Sequence, residues 1–381
     1  MRAASITRGL AAACMGLLVS AAQAETGVSD AKIRVGQSAV FSGPAADFGN
    51  DYRAGITLYF DRVNKGGGVL GRKLELVSLD DGYDPKRTAE NTRKLLDDEK
   101  VFALIGYVAT GNLIAAMPIA EQAGAPMFAP LVGTTSFRTN FNKHLFHVRA
   151  SYQQELKKIV SHLATLGIRN IAVVYQNSAF GKGNLETCLQ LAAQYDVKVL
   201  QSTPMEIAAT DAKDVVGALT KDRPGAVVMI LAGRMVEVFL RDYRGNGGTA
   251  PLYTLSVGIT DAKGSAQRLN GGLEGLVTAS IVPPPSLTRH AIVADYRRDR
   301  DAFGSKADSY TALEGYIAAR VFVEGLKRSG RGLTRDGFIA AMESFGSAKI
   351  ADYPVEYGPR NHNGSSFVDL EMYTKDGSLV R

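Results

Sequence analysis

The sequence predicts an α/β protein with two lobes, each a parallel-rich sheet flanked by helices. Apolar runs of strand length alternate with segments whose apolar residues recur at spacings of three and four, which is typical of helices. This series restarts in the second half of the chain, at residues 171–175. With 381 residues, the chain is also long for a single hydrophobic core. Strands and helices in alternation favour parallel sheets covered on both faces.

Residues 1–24 are predicted to be a secretory signal peptide. Arg2 and Arg8 precede an apolar run over residues 9–22, and Ala22-Gln23-Ala24 has the small-x-small form of a cleavage site. We therefore expect the mature protein to be exported and to begin after Ala24.

The first lobe is predicted to begin directly behind this signal. Its strands are expected at residues 33–40, 73–79, 101–105 and 126–128, and its helices at residues 52–64, 87–97 and 113–123. The second lobe repeats the pattern after a break near residues 148–153. Its strands are expected at residues 171–175, 198–202, 226–231, 252–255 and 276–281, and its helices at residues 154–166, 183–195 and 212–219.

After residue 281 the chain is predicted to return to the first lobe before its tail joins the second. Pro283-Pro284-Pro285 cannot join a sheet ladder and predicts a stiff extended crossing. A helical region over residues 291–328 then packs on an earlier lobe, and residues 350–380 alternate around a turn as a terminal β-hairpin. We assign residues 25–150 and 282–352 to the N-terminal lobe, and residues 151–281 and 353–381 to the C-terminal lobe.

Charge and cysteine content exclude several classes of partner. The 44 basic and 38 acidic residues are spread without runs, so we expect no nucleic acid or anionic membrane partner. No apolar stretch of about 20 residues follows the signal, which predicts a soluble mature protein. Cys188 is then the only cysteine, so an intrachain disulfide is excluded and a buried structural thiol is expected.

The motifs that usually carry catalysis or metal binding are missing or misplaced. Residues 66–71 match G-x-G-x-x-G, but they follow a predicted helix and lead into a strand, the reverse of a nucleotide-binding loop. No serine lies in G-x-S-x-G, and no histidine relay serves Cys188. Asp80, Asp81 and Asp84 lack EF-hand spacing and favour a solvated turn with helix capping over a calcium site. We expect no enzyme activity, cofactor or metal.

Four loops at predicted strand ends are rich in small polar residues: residues 42–44, 106–112, 133–136 and 178–181. In open α/β sheets, ligands bind outside the carboxyl ends of the strands, where loops and helix N-termini converge. Gly and Thr also cap helices in many proteins, so each loop alone is weak evidence. Together the four loops predict a ligand pocket.

Four segments in order resemble the periplasmic solute-binding proteins of branched-chain amino acid type ABC importers. They are residues 42–49 (SGPAADFG), 64–67 (NKGG), 80–85 (DDGYDP) and 179–183 (AFGKG). The similarity spans essentially the whole mature chain. It implies a type I periplasmic binding fold, in which two Rossmann-like lobes joined by three crossovers close around a solute by hinge motion. It also implies a periplasmic monomer that delivers its solute to a membrane permease and ATPase.

The resemblance places a solute carboxylate in the first lobe. Thr110 matches the serine or threonine whose hydroxyl holds that carboxylate in the family. Gly133, Thr134 and Thr135 match the strand-end segment that completes the carboxylate site with backbone and hydroxyl groups.

Aromatic residues are expected around the rest of the solute. Phe48 and Phe180 match positions that close over it from opposite lobes. Tyr107 and Tyr152 lie near the predicted cleft by position. Either tyrosine could stack on a ring of the solute, and each could equally belong to the core.

Two departures from the family affect the choice of solute. Amino acid binders carry an acidic partner for the solute ammonium after the strand near residue 253, where this chain has Val257 and no carboxylate. Arg234 stands where a tyrosine is usual. Because burying an unpaired ammonium costs several kcal/mol, we hypothesise an aromatic, keto or hydroxy acid. Glu237 could supply the missing charge instead, and Arg234 could simply point to solvent.

Two functions fit these residues. The leading one is the solute-binding component of an ABC importer. A periplasmic sensory receptor would use the same cleft and differ only in its partner surface. A hydrolase or oxidoreductase lacks a nucleophile and base pair, a metal cluster and a correctly placed nucleotide loop.

Overall fold

The first sheet of the computed structural model, which describes residues 25–380, has five parallel strands in the order β2-β1-β3-β4-β5. Helices lie between most of these strands along the chain, as the alternating pattern predicts. The elements are β1 (Lys32–Ala39), α1 (Ala46–Lys65), β2 (Lys73–Asp80), α2 (Pro85–Asp97), β3 (Ala103–Ile105), α3 (Thr110–Gln122), β4 (Met127–Phe128), α4 (Ser136–Thr139) and β5 (Leu145–Phe146).

The second sheet has seven strands, of which five are parallel and come from the second strand-helix series. That series comprises α5 (Tyr152–Thr165), β6 (Asn170–Gln176), α6 (Ala179–Gln194), β7 (Lys198–Met205), α7 (Lys213–Thr220), β8 (Ala226–Ile230), α8 (Arg234–Gly245), β9 (Leu252–Thr254), α9 (Ala262–Arg268) and β10 (Leu276–Ser280). The strand β8 is buried along its whole length, which explains its continuous apolar run.

The chain then returns to the first sheet through α10 (Ala291–Ala302), α11 (Tyr310–Ser329) and α12 (Arg335–Glu343). Helix α11 packs closely along α1. A Cβ atom added at Gly55 would lie 1.9 Å from the Ala312 carbonyl oxygen, and one added at Gly315 would lie 2.2 Å from the Tyr52 carbonyl oxygen. Glycine at these two positions therefore sets how closely the helices approach.

The end of the chain divides between two sheets. Its strands are β11 (Gly346–Ile350), β12 (Tyr353–Gly358), β13 (Asn361–Gly364), β14 (Asp369–Tyr373) and β15 (Leu379–Val380). Strand β12 pairs with β11 and β13, whereas β14 pairs with β10 and β15 in the second sheet. The expected single terminal hairpin is wrong, because both halves of the tail pair with neighbours outside it.

The tail pairing also bears on the lobe boundary predicted at residue 353. The backbone N–H of His147 donates to the carbonyl of His362, which joins β13 to the end of β5 beside the first sheet. Residues 353–364 therefore lie with the first sheet, and only the remainder joins the second. The chain passes between the sheets after β5, after β10 and after β13.

Several predicted local features are confirmed. Gly66 donates its N–H to carbonyls at the end of α1, and Gly68 lies in the turn before β2, so the glycine-rich segment ends a helix. Cys188 is fully buried, and burial raises the pKa of its thiol to about 12. The signal peptide lies outside the described residues.

Residues 25–380 include no helix that combines the length and the apolar character needed to span a bilayer. Within the same residues, no group of three or more His, Cys, Asp or Glu side chains is arranged to hold a metal ion.

Candidate functional site

A cavity lies where the carboxyl ends of both sheets face each other. The first sheet contributes loops after β2, β3 and β4, and the second contributes loops after β6, β8 and β9. The starts of α1 and α5 complete the wall. The lining residues are Phe48, Tyr83, Val108, Ala109, Thr110, Leu131, Tyr152, Phe180, Ala232 and Val257. This is the position at which open α/β sheets bind ligands.

None of these lining side chains is acidic or basic. Five of them were singled out from the sequence: Phe48, Thr110, Tyr152, Phe180 and Val257. The other five were not chosen individually, although Val108 and Ala109 lie in the loop predicted at residues 106–112 and Ala232 lies two residues before Arg234.

Aromatic rings from both lobes meet at the cavity. The rings of Tyr152 and Phe180 are packed edge to face, with centroids 5.1 Å apart. Phe48 is buried and reaches across to the loop after β8, where a Cβ atom added at Gly233 would lie 3.1 Å from Phe48 Cε2. Gly233 also has a φ of +56°, which disfavours any side chain. The two walls are therefore in contact around the cavity.

Thr110 is the first residue of α3 and the main hydroxyl of the first-sheet wall. Its Oγ1 lies 2.7 Å from Thr134 Oγ1, so the two hydroxyls share a hydrogen bond in the buried wall. The residue before the helix, Ala109, has no side chain that could cap it. The first N–H groups of α3 thus have no side-chain cap, and the residues at this positive end of the helix dipole, Ala109 and Thr110, line the cavity.

The segment of residues 133–135 supports this wall from behind and does not line the cavity. The Gly133 carbonyl accepts the Tyr152 N–H at 2.8 Å, and a Cβ atom on Gly133 would lie 2.9 Å from the Tyr152 ring. Glycine is therefore needed for Tyr152 to pack here. Thr135 is half-buried, and its Oγ1 has no hydrogen-bond partner among the described residues.

Tyr83 is a lining residue that the sequence reading assigned to a solvated turn. Its N–H donates to Asp81 Oδ1 at 3.0 Å, and its φ of +68° is unusual for an aromatic residue. Asp81 also accepts from the Ser38 and Thr88 hydroxyls, and Asp84 caps α2. The helix capping by Asp84 is as predicted, but Asp81 is fully buried rather than solvated. The turn that these aspartates build places Tyr83 in the cavity.

Tyr107 does not line the cavity. Its ring is fully buried among the side chains of α2 and α3, and its hydroxyl lies 3.1 Å from the Thr92 hydroxyl. The reason is the twofold alternation of extended backbone: Val108 faces the cavity, so its neighbour faces the opposite side. The core alternative considered for Tyr107 is the one observed.

Arg234 does not line the cavity either. It is exposed at the first position of α8. The nearby acid Glu237 binds Arg268 at 2.7 Å and the Ser265 hydroxyl at 2.8 Å. Burial alone would raise the pKa of Glu237, but these hydrogen bonds hold it below its ordinary value. Glu237 is therefore already paired and is not among the residues that line the cavity.

A buried ionic cluster lies directly behind Tyr152. Arg149, on the first crossover, donates from Nη2 to Ser256 Oγ at 2.5 Å and to Glu155 Oε1 at 3.3 Å. Its Nη1 lies 3.6 Å from Glu314 Oε1, and its guanidinium carbon lies 5.1 Å from the centre of the Tyr152 ring. Arg149, Tyr152 and Glu155 are close in the sequence, but Ser256 lies 107 residues from Arg149 and Glu314 lies further still, and no local pattern indicated that they would meet.

The two carboxylates of this cluster differ in how many hydrogen bonds they accept. Glu155 also accepts the Ser256 N–H at 2.8 Å and the Ser256 hydroxyl at 3.0 Å. Glu314 Oε1 has no hydrogen-bond partner among residues 25–380. Burial raises the pKa of Glu314 to about 7, although the positive charge of Arg149 opposes the shift.

Two facing α/β sheets with three chain crossings, and an uncharged aromatic cavity between their strand ends, define a two-lobed binding protein. The chain belongs to the periplasmic binding protein family, because the model of that family matches residues 32–370. Membership implies a periplasmic location.

Individual relatives agree with this assignment. The chain is 24% identical over 398 residues to the Leu/Ile/Val-binding protein homolog 8 of Brucella suis biovar 1 (strain 1330), covering 98% of this chain and 96% of the relative. It is also similar to the solved structure of a substrate-binding periplasmic protein from Ralstonia solanacearum, with 28% identity, a TM-score of 0.85 and coverage of 92% and 99%. A second similar structure is described as a "possible leucine/isoleucine/valine-binding protein" from Rhodopirellula baltica SH 1. It is 29% identical, with a TM-score of 0.86, and the match covers 92% of this chain and 97% of that one.

Proposed function

We propose that this chain is the solute-binding component of an ABC importer and captures a small carboxylate in the interlobe cavity. The observation that carries the proposal is the lining, in which aromatic and aliphatic side chains from both sheets surround the Thr110 hydroxyl and include no charged group. The preferred solutes are aromatic, keto or hydroxy acids.

The carboxylate would lie against the start of α3. The Thr110 hydroxyl and the uncapped N–H groups of that helix are donors, and the helix dipole favours a negative charge there. Hydrogen bonds to a charged group contribute about 1.5–3 kcal/mol each. Three such bonds, with burial of the apolar body of the solute, are enough for roughly micromolar affinity, or about −8 kcal/mol.

A solute ammonium would lack a partner in this cavity. Glu237 is bound to Arg268, and Glu155 is saturated by Arg149 and Ser256. An ammonium buried without a carboxylate loses its hydration with no compensation, at a cost of several kcal/mol. This is why we place deaminated and aromatic acids ahead of leucine or valine.

The same contacts support closure by rotation of the lobes. Phe48 from the first lobe rests on the loop containing Gly233 in the second, so a solute could enter only after the lobes move apart. A membrane permease and ATPase would then receive the solute from the closed protein, which we expect to act as a monomer.

Isothermal titration of the mature protein tests the proposal. The panel comprises L-leucine, L-valine, L-phenylalanine, 4-methyl-2-oxopentanoate, phenylpyruvate and benzoate. We expect at least one acid without an ammonium to bind with micromolar affinity and the amino acids to bind at least tenfold more weakly. Tight leucine or valine binding with no response to the other acids would overturn the choice of solute.

A pair of threonine variants tests the carboxylate position. Thr110→Val should weaken the acid that binds by about tenfold or more, because one charge-assisted hydrogen bond is lost. Thr165→Val makes the same change at an exposed position on α5 and should leave affinity unchanged. Equal affinity in both variants would move the carboxylate away from α3.

A further inference from the structure

We propose that Glu314 takes up a proton when an anionic solute binds, so that capture of the anion is coupled to protonation of a buried carboxylate. This inference rests on the function proposed above. It concerns a residue on α11 that does not line the cavity.

The first step is the incomplete compensation of Glu314. Its side chain is almost fully buried, and its Oε1 has no hydrogen-bond partner within residues 25–380. The cation beside it, Arg149, lies 3.6 Å away and shares its charge with Glu155, to which it makes the shorter contact. A buried carboxylate in this position is stabilised only in part when ionised.

The second step is the electrostatic connection to the cavity. Arg149 lies 5.1 Å from the centre of the Tyr152 ring, and Tyr152 lines the cavity. Buried groups separate the two sites, so a charge in the cavity is weakly screened at the cluster. A solute anion would therefore stabilise the positive charge of Arg149 and repel a negative charge on Glu314.

The third step is the balance of the surrounding groups. The charged groups that face Glu314 are Arg149 on the crossover, Glu155 on α5 and Arg138 on α4. Tyr52 on α1 and Tyr353 on β12 also face it, and Tyr310 on α11 and Tyr373 on β14 line a pocket together with Glu314. Burial raises the pKa of Tyr52, Tyr353 and Tyr373 and keeps these phenols neutral at ordinary pH. Burial is the largest influence on Glu314 and raises its pKa to about 7, so both protonation states are present near neutrality. An anion bound in the cavity raises the pKa of Glu314 further and so favours its protonated form.

The sign of the pH dependence follows. The pKa of Glu314 is higher with the anion bound than without it, so binding is favoured at low pH and weakens as pH rises through neutrality. Near neutrality the free carboxyl is already partly protonated, which limits uptake to a fraction of a proton per anion. Between pH 6 and 8, we expect the affinity for an anion to fall about threefold.

Titration calorimetry in two buffers measures the proton directly. The probes are benzoate and 4-methyl-2-oxopentanoate, each titrated at pH 7 in phosphate and in Tris, whose ionisation enthalpies differ. Wild type should show a buffer-dependent enthalpy that corresponds to proton uptake. Glu314→Gln should abolish the difference, whereas Glu324→Gln, the same change at a half-exposed position on α11, should retain it. Binding of either probe with no buffer dependence in wild type would overturn the coupling and leave the proposed function intact.

The titration of Glu314 can also be measured in the wild-type protein without any solute. This measurement tests the inference even if the variant fails to fold or neither probe binds. In wild-type protein labelled with ¹³C at the glutamate carboxyl, one buried carboxyl should titrate near neutral pH, and its signal should be missing in Glu314→Gln. If every glutamate carboxyl in the wild type titrates below pH 5.5, the inference is overturned whatever the solute. If neither probe binds while this titration is seen, the choice of solute fails and the proton site stands.

Discussion

Replacing Gly233 with alanine tests whether the two lobes meet across the cavity as described. The added Cβ would lie 3.1 Å from Phe48 Cε2 and 3.5 Å from Phe48 Cζ. The first distance is shorter than an ordinary carbon contact, so the ring must shift or the lobes must stay slightly apart. Overpacking of this kind costs about 1–3 kcal/mol. If the whole cost falls on the closed state, affinity drops by roughly 5- to 150-fold.

The substitution also has a backbone cost that must be separated from the contact. Gly233 has φ +56° and ψ −129°, a conformation that costs a residue with a side chain about 1–3 kcal/mol. This strain is present whether the lobes are together or apart, so it lowers the free energy of unfolding and leaves affinity unchanged. The contact with Phe48 exists only when the lobes are together, so it lowers affinity.

Titration calorimetry and urea unfolding of four proteins separate the two effects. They are the wild type, Gly233→Ala, Phe48→Ala and the double variant, each with the acid that binds the wild type. Trimming Phe48 should weaken binding by itself and should also remove most of the additional penalty of Gly233→Ala. Gly167→Ala, at φ +77° with open space around it, should affect only stability. The reasoning is refuted if Gly233→Ala binds as tightly as wild type, or if its penalty is the same with and without the Phe48 ring.

Three further predictions concern stability. Arg149→Met should lower the free energy of urea unfolding by about 3–5 kcal/mol, because it leaves Glu155 buried without its cation. The double variant Arg149→Met with Glu155→Gln should recover part of this loss. No recovery would show that the unpaired charge of Glu155 was not the cause. Gly315→Ala should destabilise by more than about 3 kcal/mol because its Cβ would meet the Tyr52 carbonyl, whereas Gly332→Ala, which has open space, should cost under about 1 kcal/mol. Burial holds the pKa of His147 well below its ordinary value, so the unfolded chain takes up a proton that the folded protein does not. The free energy of unfolding should therefore fall by up to about 2 kcal/mol between pH 7 and pH 5. His147→Phe should flatten this part of the pH profile, and an unchanged slope would show that other groups cause the pH dependence.

Local sequence patterns were sufficient for most of the fold. Each predicted strand and helix of the two series has a counterpart within a few residues, because a half-buried helix and a buried strand each impose their own apolar period. The same logic brought two of the four predicted loops, residues 106–112 and 178–181, to the cavity, since strand ends of parallel sheets lie on one edge. Residues 42–44 and 133–136 are not among the residues that line it. The tail was harder to predict because the pairing of β12 with β11 and of β14 with β10 depends on contacts across more than one sheet.

The direction of individual side chains was the weaker part of the site prediction. Tyr107 and Val108 are neighbours in extended backbone, where successive side chains point to opposite faces. An error of one residue therefore assigns a core side chain to the cavity. Tyr83 was missed because Asp81 and Asp84 were sufficient to explain the turn without a role for its aromatic residue. The φ of +68° that directs Tyr83 into the cavity cannot be predicted from the sequence. Positions that depend on a turn conformation are therefore less predictable than positions on a regular strand or helix.

The Arg149 cluster was unpredictable for a different reason, and its placement bears on the proposed function. Arg149 and Glu155 are six residues apart, but Ser256 lies 107 residues from Arg149 and Glu314 lies further still, so no short window of sequence contains the whole cluster. An arginine in the cavity wall would be hydrated whenever the lobes were apart and would lose that hydration at each closure. Arg149 instead lies behind Tyr152, where folding has already removed its water and Glu155 and Ser256 hold it in place. An anion in the cavity can then gain from this positive charge while closure desolvates only the solute and the donors that receive it.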